Sequence, residues 1–318
     1  MKPFKSQVFQ GSLKKKHYFE GWYFKHVSRD LQHVYAFIPG ISLTEEDSHA
    51  FIQVINGITG KSYYVQYPLN KFIWEKDRLF IRVGDSVFTE KLVSLSIQDP
   101  LINIFGQLTY TGLTPLPKTI LSPGIMGWYS YVPFMECYHG VVSANHNIKG
   151  GIVINDISTD FTGGKGYIEK DWGTSFPETW IWMHANSFSQ KDVSVFLSIA
   201  KIPWLGNFFI GFIAFICING RFYRFATYNH SVLKKVERKD EQLLVDLENK
   251  HLRLHLETET QLSGELRAPA FGSMTRRIKE SIDAVLHVTF YDRNNKVIFK
   301  GSSKRAGLEI SGNILDYL

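Results

Sequence analysis

Short runs of apolar and alternating residues recur along most of the chain, and turn residues separate many of them. The first half contains six such runs, at residues 33–38, 50–55, 62–67, 79–83, 91–97 and 102–110. Pro39-Gly40, Asn56-Gly57 and Thr59-Gly60 separate or follow the first three. Runs this short, rich in aromatic and β-branched residues, are typical of strands in a β-sandwich or barrel.

The most apolar run, residues 208–218 (FFIGFIAFICI), is the one that resembles a membrane span. It has roughly half the length that a transmembrane helix needs. Asn219-Gly220 follows it directly, and residues 221–226 then alternate between polar and apolar. Because Asn-Gly favours the tight turn of a β-hairpin, the pattern predicts a buried strand and its return strand.

Two further stretches differ in pattern, and another hairpin follows them. Residues 114–127 are rich in proline and glycine and predict a long loop. Residues 273–284 place Met274, Ile278 and Ile282 at helical spacing, which predicts a short helix. Residues 287–291 and 296–300 predict another hairpin.

An acid-aromatic segment opens each half of the chain, and strand signals follow each one. A stretch rich in Gly, Asn, Asp, Ser and Thr, residues 150–164, lies between the halves. With 318 residues, the chain is long enough for two domains of ordinary size. We therefore predict an all-β protein with little helix and two domains, residues 1–158 and residues 159–318.

Composition narrows the choice of partners. The net charge is +6, but the basic residues are scattered and no nucleic-acid-binding signature accompanies them, so no nucleic-acid partner is expected. The two cysteines lack CxxC spacing, and no apolar leader opens the chain, which predicts a cytoplasmic protein. Aromatic residues make up 14% of the chain, enough to wall an apolar pocket as well as fill a β-rich core.

The first acid-aromatic segment is YFEGWYFK, residues 18–25. Alternation places Tyr18, Glu20 and Trp22 on one strand face and Tyr23 on the other. A carboxylate among aromatic rings is costly to bury unless it is paired or protonated. Glu20 is therefore either the partner of a lysine or arginine, or an acid that supports chemistry.

The second segment, GYIEKDWG, spans residues 166–173. Tyr167, Glu169 and Asp171 share one strand face, and Trp172 lies on the other. Two neighbouring carboxylates repel each other when both are ionised, so one can keep a proton near neutral pH. General acid catalysis needs such a proton. The structural alternative is a network that fixes the following turn.

The third segment, TWIWMHANSF, spans residues 179–188. Trp180, Trp182, His184 and Asn186 share a face there, which combines two large rings with two hydrogen-bonding groups. The sequence contains no Walker, GxGxxG-helix, GxSxG or HExxH motif, and its histidines lack metal-ligand spacing. We expect no metal, nucleotide or redox cofactor.

Three blocks of the sequence resemble the tocopherol cyclase family: YFEGWYFK at 18–25, GYIEKDWGTSFPETWIWMHANSF at 166–188 and AGLEISG at 306–312. The middle block is also distantly similar to carotenoid 1,2-hydratases. That similarity implies two packed lipocalin-like β-barrel or sandwich domains, the second of which begins near the acid-x-acid-Trp segment.

The resemblance implies an isomerase that closes a ring without redox change. An acid protonates a prenyl double bond of a prenylated hydroquinone or related isoprenoid, and the phenol oxygen captures the cation. Hydration of an isoprenoid is the related reaction. The resemblance to the family implies Asp171 or Glu169 as the proton donor and His184 as a base. The residues implied to line the substrate pocket are Glu20, Trp22, Tyr23, Tyr167, Trp172, Trp180, Trp182 and Asn186.

Two points keep the interpretation open. Plant-like members of the family more often have glutamine where this chain has His184, which weakens the case for a tocopherol precursor as substrate. A non-catalytic lipocalin-like carrier or sensor of an apolar lipid would use the same pocket, with the acids as structural groups. Either function requires an apolar small-molecule ligand and predicts transient contact with a membrane surface.

Overall fold

The computed structural model describes residues 2–240, 242–259 and 263–318. Their regular structure is almost entirely β-strand, with five short 3₁₀ helices at Pro3–Lys5, Leu69–Lys71, Gly127–Tyr131, Thr227–Asn229 and Ile314–Tyr317. The strands are β1 Tyr18–Val27, β2 Val34–Leu43, β3 His49–Asn56, β4 Ser62–Pro68, β5 Phe72–Trp74, β6 Phe80–Val83, β7 Ser86–Thr89, β8 Leu92–Asp99, β9 Ile102–Thr111, β10 Cys137–Ile154, β11 Ile157–Asp160, β12 Lys165–Gly173, β13 Trp180–Ala185, β14 Val193–Trp204, β15 Asn207–Ile218, β16 Arg221–Ala226, β17 Val232–Lys239, β18 Gln242–Glu248, β19 Leu252–Glu259, β20 Gly264–Ala270, β21 Ser273–Asp292 and β22 Val297–Ser311. The prediction of an all-β, lipocalin-like protein with little helix is confirmed.

The chain forms two compact units, of which the first contains Met1–Phe176 and Gly264–Ile278. Its twelve-stranded antiparallel sheet has the order β4-β3-β2-β1-β12-β10-β9-β8-β7-β6-β5, with β11 paired to β10. β12 therefore lies between β1 and β10, near the middle of the sheet. The two strands that carry the first two acid-aromatic segments are direct neighbours.

A segment from the far end of the chain completes the first unit. β20 lies against β3 and β4. The side-chain amide of Gln53 on β3 forms two hydrogen bonds there with the backbone of Arg267 on β20. Gln53 Nε2 donates to the Arg267 carbonyl at 2.8 Å, and Gln53 Oε1 accepts from the Arg267 N–H at 2.8 Å. The predicted boundary between residues 158 and 159 thus differs from the division seen, because β12 pairs into the first sheet and residues 264–278 pack with it.

The second unit contains Pro177–Ser263 and Lys279–Leu318. Its strands follow the order β16-β15-β14-β13-β22-β21-β19-β18-β17, and all of these neighbours are antiparallel. An aliphatic and aromatic core fills one face of the sheet, to which β13 contributes Ile181, Met183 and Ala185. Trp180, Trp182 and His184 alternate with them and lie on the opposite face.

The hairpin predicted at residues 208–226 is confirmed as β15 and β16. Asn219 and Gly220 have φ angles of 51° and 79°, the two positive values that a type I′ turn requires. The hairpin predicted at 287–300 is also confirmed, by the pairing of Tyr291 with Val297. Residues 114–127 form the predicted loop.

The short helix predicted at residues 273–284 is wrong, because this segment belongs to β21. Met274, Ile278 and Ile282 are four residues apart, and a spacing of four satisfies both a helix face and a strand face. Pro39-Gly40 likewise lies inside β2 instead of ending it. Gly40 allows a close approach there, since a Cβ atom would lie 2.7 Å from the Glu20 carbonyl oxygen.

Candidate functional site

The two acid-tryptophan segments lie side by side in the first unit. β1 and β12 pair antiparallel, with Glu20 opposite Trp172, Trp22 opposite Lys170 and Tyr23 opposite Glu169. Directly opposed residues of neighbouring strands project to the same face of a sheet. The pairing therefore separates the predicted residues into two groups, one on each face.

On the first face, the Glu20 carboxylate is fully buried and accepts several hydrogen bonds. The backbone N–H groups of Gln10 and Gly11 donate to it at 2.8 and 3.0 Å, and the Tyr18 hydroxyl donates at 2.5 Å. Lys170 Nζ forms an ion pair with the same carboxylate. These four donors compensate the cost of burying the charge.

Lys170 is the matching cation and is also fully buried. Its Nζ donates to the carbonyl oxygens of Ser6, at 3.0 Å, and Val8. It lies 4.7 Å from the ring centroids of both Trp22 and Trp172, so each indole face contributes a cation–π contact. Burial lowers the pKa of Lys170 to about 8, and the Glu20 carboxylate opposes that shift.

On this first face, the Glu20–Lys170 ion pair therefore connects β1 and β12 with the N-terminal segment, residues 2–17. Trp22 adds to the junction, because its Nε1 donates to the Gln7 carbonyl at 2.8 Å. Gly140 of β10 leaves the space that Ser6 needs, since a Cβ atom there would lie 2.9 Å from the Ser6 Cβ. Of the two alternatives for Glu20, the structure has the lysine partner.

On the second face, Tyr167, Glu169 and Asp171 of β12 surround His139 of β10. His139 Nδ1 lies 2.7 Å from Asp171 Oδ1, and His139 Nε2 lies 3.4 Å from Glu169 Oε2. The Tyr167 hydroxyl donates to Glu169 Oε2 at 2.5 Å. We call these four side chains the acid cluster.

The acid cluster is shielded unevenly. The Glu169 side chain is 5% exposed, that of His139 13% and that of Asp171 23%. Burial, and then the Glu169 carboxylate, raise the pKa of Tyr167 far above its usual value, which keeps its hydroxyl a donor. Lys25, fully buried on β1 opposite Tyr167, is a further charged group on this face.

The arrangement can hold and transfer a proton. Asp171 Oδ1 lies within hydrogen-bond distance of His139 Nδ1, so this pair can exchange a proton directly, and Glu169 adds a second carboxylate near Nε2. Tyr23, opposite Glu169 and largely buried, adds an aromatic ring on the same face. The acid cluster therefore combines two carboxylates and an imidazole with a nearby aromatic ring.

Sequence reasoning did not identify His139. It lies 32 residues before Asp171 in the chain, and the two meet only because β10 and β12 pair with His139 opposite Asp171. Residues 137–141 (CYHGV) contain no local motif that marks the histidine. Lys170 also received no role from its position, although it follows Glu169 directly.

The remaining predicted residues belong to the second unit. Trp180 Nε1 donates to Glu309 Oε2 at 2.7 Å, and the Trp182 ring covers Gly307, where a Cβ atom would lie 2.5 Å from it. Glu309 was not predicted as a site residue, although it lies within the AGLEISG block. Its cross-strand neighbour on β21 is Glu280, a fully buried carboxylate.

His184 and Asn186 are both buried in the second unit. Ser194 Oγ lies 3.5 Å from His184 Nε2, at the outer limit of a hydrogen bond. In the part of the chain that the structure describes, no group of three or more His, Cys, Asp or Glu side chains has an arrangement suited to a metal ion. No helix among the same residues is long and apolar enough to cross a bilayer.

Comparison with known proteins gives a match to a family model described as tocopherol cyclase-like, which covers residues 118–312, more than half of the chain. The chain belongs to this family. The match includes the acid cluster, the β13 residues and the AGLEISG block, whereas YFEGWYFK lies before it. Family membership therefore applies to β10, β12 and the second unit most directly.

Among individual relatives of the family, a protein of Oryza sativa subsp. japonica named probable tocopherol cyclase, chloroplastic, is 27% identical over 197 residues. The aligned part is 58% of this chain and 42% of the relative. The chain thus spans about two fifths of the length of that curated relative.

Solved structures with the same fold extend over nearly the whole chain. CghA with Sch210972 superposes with a TM-score of 0.57 at 9% identity, covering 92% of this chain and 88% of that one. Kievitone hydratase from Nectria haematococca superposes with a TM-score of 0.52 at 10% identity, covering 96% and 93%. At such low identity these similarities establish the fold alone.

Proposed function

We propose that this protein is a cyclase that closes a ring on a prenylated hydroquinone or related isoprenoid by acid catalysis, without redox change. Membership of the tocopherol cyclase-like family supports the reaction type. The observation that carries the proposal is the acid cluster, in which His139 lies between Asp171 and Glu169. Protonation of an alkene needs a carboxylic acid that holds a proton in a shielded site, and this cluster supplies the groups for one.

Asp171 is the proton donor in this proposal. Its side chain is the more exposed of the two carboxylates, 23% against 5%, so a substrate can approach it more closely. Glu169 Oε2 already accepts the Tyr167 hydroxyl. In the proposal, the Glu169 carboxylate, which accepts a hydrogen bond from Tyr167, stabilises positive charge on the His139 imidazole. His139 in turn positions the Asp171 carboxyl group.

The reaction balances without an added oxidant or reductant. The Asp171 proton bonds to the less substituted carbon of the prenyl double bond, and the π electrons form that C–H bond. A tertiary cation remains, and the Tyr23 ring face can stabilise it. A lone pair of the phenol oxygen then forms the C–O bond, the phenol proton passes to the proposed base and from there to water, and Asp171 takes up a new proton from water.

The roles predicted for the β13 residues stay separate predictions, because these residues belong to the second unit. His184 is the proposed base for the phenol and Asn186 its hydrogen-bonding partner, with Trp180 and Trp182 as apolar contacts for the prenyl chain. A Trp182→Leu variant tests this part: KM for a prenylated quinol should rise while the deuterium content of the product stays unchanged.

The test of the proposal is turnover in heavy water. Purified protein incubated with prenylated hydroquinones in D₂O should give a cyclised isomer that contains one non-exchangeable deuterium at the protonated carbon. Asp171→Asn should lower the rate about 10²–10⁴-fold, the usual contribution of a general acid.

A matched control is Asp246→Asn. Asp246 Oδ1 lies 2.9 Å from His255 Nδ1, the same aspartate–histidine contact in the second unit. The Asp246→Asn substitution should leave the rate of turnover within about twofold of wild type, since a partly exposed aspartate–histidine pair outside the site contributes little to stability. Full activity of Asp171→Asn would assign the proton to another group. Tightly retained, unmodified lipid together with no turnover of any quinol would instead establish a carrier.

A further inference from the structure

The long loop between β9 and β10 presents large apolar side chains to solvent. Ile120 and Leu121 are each 81% exposed, and Phe134 is 99% exposed. Soluble domains expose single apolar residues often, but a group of them on one loop is typical of a binding surface. Six residues form this surface, which we call the apolar loop surface: Phe4, Ile120, Leu121, Trp128, Tyr131 and Phe134.

Specific contacts join the loop to the N-terminal segment. The Tyr131 hydroxyl donates to the Ile120 carbonyl at 2.6 Å, and Lys118 Nζ donates to the Phe4 carbonyl at 2.7 Å. The Phe4 and Tyr131 rings make an edge contact at 6.4 Å between centroids. The N-terminal segment and the loop thus form one continuous surface.

The exposure follows the pattern of a group that enters a bilayer interface. Three aliphatic or phenyl side chains protrude almost completely, whereas Trp128, Tyr131 and Phe4 are about half exposed, at 44–45%. Trp and Tyr favour the headgroup level of a membrane, where one end of the ring is apolar and the other wet.

The charges next to the apolar loop surface are mainly positive. Lys2, Lys5 and Lys76 are exposed beside the N-terminal segment: Lys2 Nζ donates to the Lys76 carbonyl at 2.7 Å, and Lys5 Nζ pairs with Asp77 at 3.1 Å. Lys118 lies at the base of the loop. Basic residues around an apolar group favour a surface that carries anionic lipid.

A cleft opens at the same place. It has a volume of about 290 Å³ and lies between the N-terminal segment, the start of the loop and β10, and its walls include Leu113, Leu116 and Val141. Val141 is the cross-strand neighbour of Glu169 in the acid cluster. The cleft also includes Ser6 and Gln7 of the N-terminal segment, so it offers an apolar chain a place to enter next to the loop.

We propose that the apolar loop surface docks on an anionic lipid bilayer, from which the protein draws its apolar substrate. Ile120, Leu121 and Phe134 enter the acyl region, the aromatic residues lie at headgroup level, and the lysines contact lipid phosphates. The identity of the apolar substrate rests on the proposed function, whereas the membrane docking rests on the exposed apolar and basic residues.

Vesicle co-sedimentation tests the docking. Wild-type protein should bind phosphatidylcholine vesicles that contain phosphatidylglycerol more tightly than vesicles of phosphatidylcholine alone, and salt should reduce the difference. The triple variant Ile120→Ser/Leu121→Ser/Phe134→Ser should bind at least roughly tenfold more weakly, because three buried apolar side chains are lost.

The matched control replaces two equally exposed leucines outside the surface. Leu101 is 73% exposed and Leu205 91% exposed, and Leu101→Ser/Leu205→Ser should leave vesicle binding within about twofold. If the triple variant bound the anionic vesicles as tightly as the wild-type protein does, that result would overturn the proposal. So would a wild-type protein that ignores both vesicles but self-associates through the loop.

Turnover separates this proposal from the proposed function. With a detergent-dispersed, short-chain quinol, the triple variant should keep the wild-type rate, and with the same quinol in vesicles it should lose rate. Vesicle binding by a wild-type protein that turns over no quinol would retain the docking surface and reject the cyclase.

Discussion

The two faces of the β1–β12 strand pair contain nearly the same kinds of group, but the groups are combined differently. On each face a tyrosine hydroxyl donates at 2.5 Å to a glutamate two residues further along the strand: Tyr18 to Glu20 on the first, Tyr167 to Glu169 on the second. On the first face, one lysine completes a fully buried ion pair. On the second, a histidine lies between two carboxylates of unequal exposure.

The difference separates a structural carboxylate from a candidate catalytic one. Glu20 accepts two backbone N–H groups, so any movement of its charge would also disturb the N-terminal segment. In the acid cluster, the imidazole contacts both carboxylates through side-chain atoms, which are the groups that acid–base chemistry uses. A buried acid beside aromatic rings is therefore not in itself a sign of catalysis.

Removal of one partner of the first face should have the largest effect. Lys170→Met leaves the Glu20 charge buried without its cation, and the free energy of unfolding should fall by about 3–5 kcal/mol. Urea denaturation followed by tryptophan fluorescence measures the loss. Trp22 and Trp172 are sensitive reporters because both rings contact Lys170.

The double variant Glu20→Gln/Lys170→Met is the control for that loss. It removes both charges and keeps a hydrogen-bond acceptor for the backbone N–H groups, so it should recover much of the stability. If the double variant is as unstable as Lys170→Met, the packing of the lysine stem matters more than its charge.

Replacement of His139 should act on turnover more than on stability. His139→Gln keeps a polar side chain but removes the group that exchanges protons with Asp171 and Glu169. We expect kcat to fall by about 10- to 100-fold, with KM within about twofold, because positioning and proton transfer contribute on that scale. The pH–rate profile should also lose the limb that reports the imidazole.

Stability gives the contrasting measurement for His139→Gln. The free energy of unfolding should change by less than about 1.5 kcal/mol, the contribution of an ordinary hydrogen bond. A loss as large as that of Lys170→Met, with an unchanged pH–rate profile, would mean that the second face is structural as well.

Most of what could be predicted from the sequence was local. Alternation assigned Tyr18, Glu20 and Trp22 to one face, and it separated Glu169 and Asp171 from Trp172, since a strand repeats every two residues. The Asn219-Gly220 turn was equally local. A spacing of four residues failed to distinguish helix from strand at Ile278. Residues four apart share a face in a helix, which has about 3.6 residues per turn, and also in a strand, which repeats every two residues.

What escaped prediction depends on pairing between distant segments. His139 reaches Asp171 only through the register of β10 and β12, and Lys170 reaches Ser6 only because the N-terminal segment folds back beside Gly140. No pattern within one strand contains that register. The transfer of residues 264–278 to the first unit is missed for the same reason.

A histidine further along the first face should make the protein sensitive to acid. His26 is fully buried beside Tyr110, and burial lowers its pKa to about 3. Between pH 6.5 and 3 the unfolded chain binds a proton that the folded chain does not, so stability falls as the pH drops. The slope from this group is about 1.4 kcal/mol per pH unit.

The variant His26→Gln tests this slope. It keeps a partner for the Tyr110 hydroxyl and removes the titrating group, so unfolding free energies measured from pH 7 to pH 4 should decline less steeply. His146, whose pKa burial also lowers, still titrates in the variant and accounts for a remaining slope. An identical slope in both proteins would place the acid sensitivity elsewhere.

The smallest and sharpest comparison uses the two tyrosines. Tyr18→Phe and Tyr167→Phe remove the same hydroxyl from the same position relative to a glutamate, at the same 2.5 Å distance. Each should lower stability by about 1 kcal/mol. Only Tyr167→Phe should also change turnover, by a few-fold with a displaced pH optimum, because its glutamate contacts the imidazole that adjoins the proposed donor. Equal effects of both variants on the rate would mean that the two faces act on the reaction only through overall stability, and the distinction between them would fail.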